Sequence, residues 1–182
     1  MNESQKYKFK IAVVGDGGVG KTSLIKKFTQ GTFQKDYIKT IGAQFTKIQK
    51  EIDGDEISLI FWDIAGQSSF DFLSSLFYKD SKACILVYSL EENELGSESF
   101  NHITDWNNEL RMRCGNIPIV LFANKVDLIQ ENEIDIPKIQ RIIDDMKIFR
   151  YYLTSAKTGQ GVNEAFNILI EKLYKNSKLI NS

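Results

Sequence analysis

Six apolar runs rich in Val, Ile, Phe and Tyr lie at Lys8–Val14, Ala43–Ile52, Glu56–Trp62, Ala83–Ser89, Ile117–Ala123 and Phe149–Thr154. Their length and β-branched content predict strands. Asp53-Gly54 joins the second run to the third, a strong two-residue hairpin signal because Gly accepts positive φ. Between the other strands the apolar positions take helical spacing. Leu24, Ile25 and Phe28 share one face of a first helix, and Phe100, Ile103, Trp106 and Leu110 stripe a longer one. Ile139, Ile142, Ile143 and Met146 follow i, i+3, i+4, i+7, with Pro137 suited to the first turn. Val162, Ala165, Phe166, Leu169 and Leu173 mark the last helix. All these stripes read as core faces.

Strands that alternate with helices imply right-handed crossovers and a mostly parallel sheet with helices on both faces. The hairpin adds one antiparallel edge strand, so an α/β fold with six strands is expected. Ligands of such sheets bind beyond the carboxyl ends of the strands, which directs attention to the loops that follow them.

The chain has 182 residues, 42% hydrophobic and 26% charged, which suits a single globular domain. Net charge is −1 with Lys and Arg dispersed, so nothing favours nucleic-acid binding. Cys84 and Cys114 are too few for a disulfide framework and suggest a reduced, cytoplasmic setting. No run approaches the ~20 apolar residues of a membrane span, and Met1–Lys10 lacks a secretory apolar core.

Gly15-Asp16-Gly17-Gly18-Val19-Gly20-Lys21-Thr22 follows the first strand and opens the first helix, matching G-x-x-x-x-G-K-[ST] in its required context. The glycines let successive N–H groups curl into a nest for phosphate oxygens, and the helix adds its positive end. Lys21 would reach the β- and γ-phosphates, while the Thr22 hydroxyl would ligate Mg²⁺. The third strand ends in Asp63-Ile64-Ala65-Gly66-Gln67. Asp63 can hold Mg²⁺ through water, Gly66 can offer its N–H to a γ-phosphate, and Gln67 can orient a water for in-line attack.

After the fifth strand comes Asn124-Lys125-Val126-Asp127, and after the sixth Ser155-Ala156-Lys157. The Asp127 carboxylate can accept from both N1–H and N2–H₂ of guanine, whereas adenine offers no such pair. Asn124 can tie the loops together, and the Lys125 stem can lie over the base.

These motifs, in this order, resemble the Ras superfamily of small GTPases from about Phe9 to Tyr174, with a P-loop NTPase fold. The likeness is greatest to the Rab family, through Gly15-Asp16, Thr40-Ile41-Gly42 with Phe45, Trp62-Asp63 and Trp106. It implies a G domain at residues 9–175, between a flexible N-terminus at 1–8 and a tail at 176–182. It implies a GTP/GDP switch in membrane trafficking or signalling, with Lys21, Thr40, Gly66 and Gln67 serving a slow hydrolysis. Thr40 would join Thr22 and Asp63 on Mg²⁺ only when a γ-phosphate is present. Tyr37 would close over the nucleotide, Phe33 would pack on guanine, and the Ala156 N–H would bond the guanine oxygen. Asp16, Gly17, Gly18, Val19, Gly20 and Ser23 would line the phosphates, with Leu128 beside Asn124, Lys125, Asp127, Ser155 and Lys157 at the base. Exchange factor, GTPase-activating protein and effectors are expected at the switch regions of a monomer.

Some features depart from that likeness. Ser68 and Ser69 replace acidic and charged residues after the glutamine. Ser89–Ser99 is longer than usual and lacks the common Asp after the fourth strand. Lys178–Ser182 holds no prenylatable cysteine, so no membrane anchor is encoded here; attachment would go through partners or a missing C-terminus. None of Arg111, Arg113, Arg141 and Arg150 falls in a phosphate-facing loop, so a partner would supply an arginine finger. His102 is expected on a solvent-facing helix position away from every such loop. Two other classes remain: a nucleotide-dependent binding module without relevant hydrolysis, and an ATP-using phosphotransferase, against which Asp127 speaks.

Overall fold

In a computed structural model, which describes residues 4–33, 40–66 and 77–181, the expected alternation is realised. The elements in order are β1 (Lys6–Val14), α1 (Lys21–Gln30), β2 (Ala43–Ile52), β3 (Asp55–Ile64), β4 (Ala83–Ser89), α2 (Glu94–Asn101), α3 (Ile103–Cys114), β5 (Ile119–Asn124), α4 (Ile136–Asp145), β6 (Arg150–Thr154) and α5 (Val162–Asn181). β1 starts two residues before its predicted start, and α5 carries the helix through Asn181. The longer predicted helix is interrupted at His102, which separates α2 from α3.

The six strands lie in the order β2-β3-β1-β4-β5-β6, antiparallel at β2–β3 and parallel at the other pairs. Asp53 and Gly54 both take positive φ, 52° and 83°, as a tight hairpin with strands of right-handed twist requires. β4 and β5 are buried along their whole length, because helices cover both faces there. The chain leaves β1 toward β3 on one side and later crosses to β4 on the other. That reversal opens a crevice at the carboxyl end of β1, where the glycine loop begins.

Alternate residues of each strand feed two cores. On one face Phe9, Ile11, Phe61, Ile85 and Phe122 meet Leu24 and Ile25 of α1 and Phe166, Leu169 and Leu173 of α5. Phe166 stacks on Phe28 with centroids 4.3 Å apart. On the other face Val14, Leu86 and Leu121 meet Ile103 and Leu110 of α3 and Ile139 and Ile143 of α4. Cys84 is buried, Cys114 half-buried, and both are free thiols. Among the described residues no helix is long and apolar enough to cross a membrane.

Candidate nucleotide site

The glycine loop wraps around a lysine from its own chain. Lys21, at the start of α1, is 6% exposed, and its ammonium donates to the carbonyls of Gly15 and Asp16 at 2.7 Å each. Burial pushes its pKa down to about 8, against the opposing pull of Asp63 and Asp16. A lysine has three N–H donors, so one remains to meet an anion at the loop mouth. Gly66, from the segment after β3, presses on this loop. A Cβ there would lie 2.3 Å from the Asp16 carbonyl carbon and 2.4 Å from the Gly17 nitrogen, so only glycine fits.

Beside the loop three oxygen-bearing side chains converge. The Thr22 hydroxyl donates to Asp63 Oδ2 and lies 3.1 Å from Thr40 Oγ1, which is 3.5 Å from the same carboxylate oxygen. Asp63 is 4% exposed, and burial raises its pKa despite the Thr22 hydrogen bond and the Lys21 charge. Its second oxygen, Oδ1, is buried and has no hydrogen-bond partner among the described residues.

At the other end of the crevice the side chains bind one another. Asn124, at the end of β5, donates from Nδ2 to the Val19 carbonyl at 2.8 Å. Its Oδ1 accepts from the Ala156 N–H at 3.2 Å and the Thr154 hydroxyl at 3.3 Å. One buried amide therefore ties the glycine loop to the loops after β5 and β6. The Ser155 hydroxyl donates to Asp127 Oδ1 at 2.6 Å, and Lys157 Nζ lies 3.4 Å from Asp127 Oδ2. Lys21 and Asp127 thus share one rim of the sheet, joined through Asn124.

A family model described as "Ras family" matches residues 10–175. The chain is 34% identical over 177 residues to the Ras-related protein Rab-7L1 of Rattus norvegicus, covering 96% of this chain and 86% of that protein. It is 33% identical over 174 residues to the Ras-related protein Rab-21 of Homo sapiens, covering 95% and 75%. This chain belongs to the Ras family of small GTPases. Within the family it is Rab-like. It is a GTP/GDP switch and a GTPase; slow hydrolysis with an accelerating partner is general to its family, as is nucleotide binding with Mg²⁺.

In this small GTPase most of the residues singled out from sequence gather in two clusters. Asp16, Gly17, Gly18, Val19, Gly20, Lys21, Thr22, Thr40, Asp63 and Gly66 gather around the glycine loop, and Asn124, Lys125, Asp127, Ser155, Ala156 and Lys157 around the loops after β5 and β6. Ser23 follows Thr22 in the first turn of α1. Phe33 and Leu128 are exposed at the margins. Tyr37, Gln67, Ser68 and Ser69 lie outside the described residues. The Ala156 N–H, expected to serve guanine, here bonds to Asn124.

His102 faces solvent as expected, but it does not stand away from the glycine loop. Its side chain is half exposed, yet its Nδ1 lies 2.7 Å from Asp16 Oδ2, in the glycine loop. Trp106, one helical turn on, donates from Nε1 to Asp16 Oδ1, also at 2.7 Å. The Asp16 carboxylate raises the His102 pKa. A hint was present in the sequence: His102 and Trp106 are spaced i, i+4, so two polar ring nitrogens share one helix face.

Proposed function

We propose that this Rab-like GTPase holds the guanine nucleotide across the crevice, polyphosphate on the glycine loop and base against Asp127, and that residues 34–39 and 67–76 read the γ-phosphate. The observation that carries this reading is the Asn124 bridge, which sets the two half-sites on one rim. Ser155 orients the Asp127 carboxylate so that its remaining lone pairs can accept from guanine N1–H and N2–H₂. The buried Lys21 ammonium gains an anionic partner when phosphate enters, which offsets the burial that depresses its pKa.

The donor set fits Mg²⁺. Thr22, Thr40 and Asp63 offer hard oxygens, one of them a buried carboxylate oxygen without a partner. Among the described residues no group of three or more His, Cys, Asp or Glu assembles, so a single carboxylate suits an ion completed by phosphate oxygens and water. When bound, Mg²⁺ draws charge from the β- and γ-phosphate oxygens. Thr40 then responds to the γ-phosphate, and its release on hydrolysis relaxes the switch loop.

Gln67 orients the attacking water. Of the described arginines, Arg111 donates to the carbonyls of Ile117 and Lys147, Arg113 pairs with Glu109, Arg150 lies over Phe149, and Arg141 is exposed on α4, outside the glycine loop and the loops after β3, β5 and β6. A partner therefore supplies the transition-state cation, and intrinsic turnover falls at about 10⁻⁴ to 10⁻² s⁻¹. The partner surface is the row of rings Phe45, Trp62 and Phe77, with centroids 6.0 and 5.9 Å apart, at which Phe45 is 69% exposed. Exchange factors, activating proteins and effectors meet it there, in trafficking or signalling by a monomer that is cytoplasmic or peripheral at membranes. In single-turnover assays Gln67→Leu is expected to slow GTP hydrolysis at least about tenfold with nearly unchanged affinity. An unaltered rate removes Gln67 from the mechanism.

A further inference from the structure

The segment after β4, unusually long and acidic in sequence, reaches into the crevice. Leu90 donates its N–H to the Asn124 carbonyl at 2.9 Å, and a Leu95 methyl lies 3.3 Å from where a Gly18 Cβ would stand. Asn93 caps α2 by accepting from the Gly96 N–H at 3.0 Å. Gly96 packs so tightly on the Glu91 carbonyl that a Cβ would meet its oxygen at 1.8 Å. This turn aims the Glu91 side chain back toward the loop after β5. There Glu91 Oε2 accepts from Lys125 Nζ and, at 3.0 Å, from the Ser89 hydroxyl, while the Glu91 N–H donates to Ser89 Oγ at 3.3 Å. The family resemblance leads one to expect an aspartate after the fourth strand, and Ser89–Ser99 has none. The carboxylate at this place comes instead from Glu91.

Lys125 has left-handed backbone, φ 69°, and leads directly into the turn that carries Asp127. Its side chain is 23% exposed and that of Glu91 22%, so the pair is better shielded from water than an open surface ion pair. We propose that Glu91 is a positioning residue for the guanine nucleotide: its carboxylate holds the Lys125 ammonium so that the Lys125 stem forms a ready-made wall over the base, and this slows nucleotide release. The inference rests on reading 124–127 as the base site. A lysine stem carries several rotatable bonds, and freezing them before the ligand arrives removes that cost from binding. The second hydrogen bond, from Ser89, matters because it fixes the carboxylate itself.

The test is dissociation of a fluorescent GDP from Mg²⁺-loaded protein, chased with excess GDP, for wild type, Glu91→Gln, Glu91→Ala, Lys125→Met and Lys125→Met/Glu91→Gln. Glu91→Gln and Glu91→Ala are expected to speed release about threefold to tenfold, with single-turnover hydrolysis of bound GTP unchanged within about twofold. In the Lys125→Met background Glu91→Gln is expected to add nothing. The difference between wild type and Glu91→Gln is expected to shrink as salt is raised, which a loss of packing would not do. Unchanged release in both Glu91 variants overturns the inference, as does equal acceleration with and without Lys125. Wild-type protein that loads no guanine nucleotide overturns the base-site reading itself, a distinct failure.

Discussion

The two ends of the crevice are built on opposite principles. At the base end the polar groups satisfy one another: Asn124 spans three partners, Ser155 holds Asp127, and Glu91 holds Lys125. At the phosphate end they do not. Lys21 spends two donors on its own loop, and Asp63 keeps a buried oxygen without a partner among the described residues. A buried polar atom left unpaired is costly, so this end is stabilised by whatever ligand completes it. The contrast suits a switch. On the proposed reading, the end assigned to the base is held by its own side chains, and the end assigned to the phosphates is completed by the ligand.

The sharpest way to break this comparison is at Asp127. Asp127→Asn is expected to lower GDP affinity at least about hundredfold while xanthine nucleotides gain, because the carboxylate that matches the guanine edge is gone. Competition binding reads this, and a retained guanine preference would dismantle the base end. Next comes Asn124→Ala, which leaves the Val19 carbonyl and the Ala156 N–H without their partner. It is expected to cost about 2 kcal/mol of stability in thermal melts and to speed GDP release. A melt like that of wild type would mean that the bridge holds nothing.

The phosphate end is probed by withdrawing Mg²⁺. Chelation is expected to accelerate GDP release at least about tenfold, equivalent to about 1.4 kcal/mol. Asp63→Ala should release fast with or without chelator; sensitivity equal to that of wild type would place the ion elsewhere. The smallest effect concerns His102. Asp16, then Glu98 and Asp105, raise its pKa above the ordinary 6.5. Its contribution is therefore fully present below about pH 6.5 and disappears as pH rises through the raised value. The side chain is half exposed, so the stability difference from His102→Gln should be only about a few tenths of a kcal/mol, largest in mildly acid solution and absent in alkaline.

The sheet was legible because its signals are local. Asp53-Gly54 specifies its hairpin with two positive φ values, and the unbroken apolar runs of β4 and β5 announce strands covered on both faces. The glycine loop, Asn124 and Asp127 stand out in sequence because the chemistry proposed for them demands particular residue types in particular loops, and the fold brings these loops to one crevice. What escaped was tertiary. His102 and Asp16 are 86 positions apart, and helical periodicity says nothing of which loop a helix face meets. Glu91 and Lys125 are 34 apart, and the sequence marks the segment after β4 only as longer than usual and without the common Asp. The 3.2 Å bond from the Ala156 N–H to the Asn124 amide also links loops 32 positions apart that only the folded crevice brings together.

Denaturing freshly purified protein and identifying what it releases tests the guanine-switch reading most directly. GDP or GTP at close to one equivalent per chain is the expected result. An adenine nucleotide, or release of no nucleotide by protein that also fails to load GDP in the presence of Mg²⁺, would contradict it.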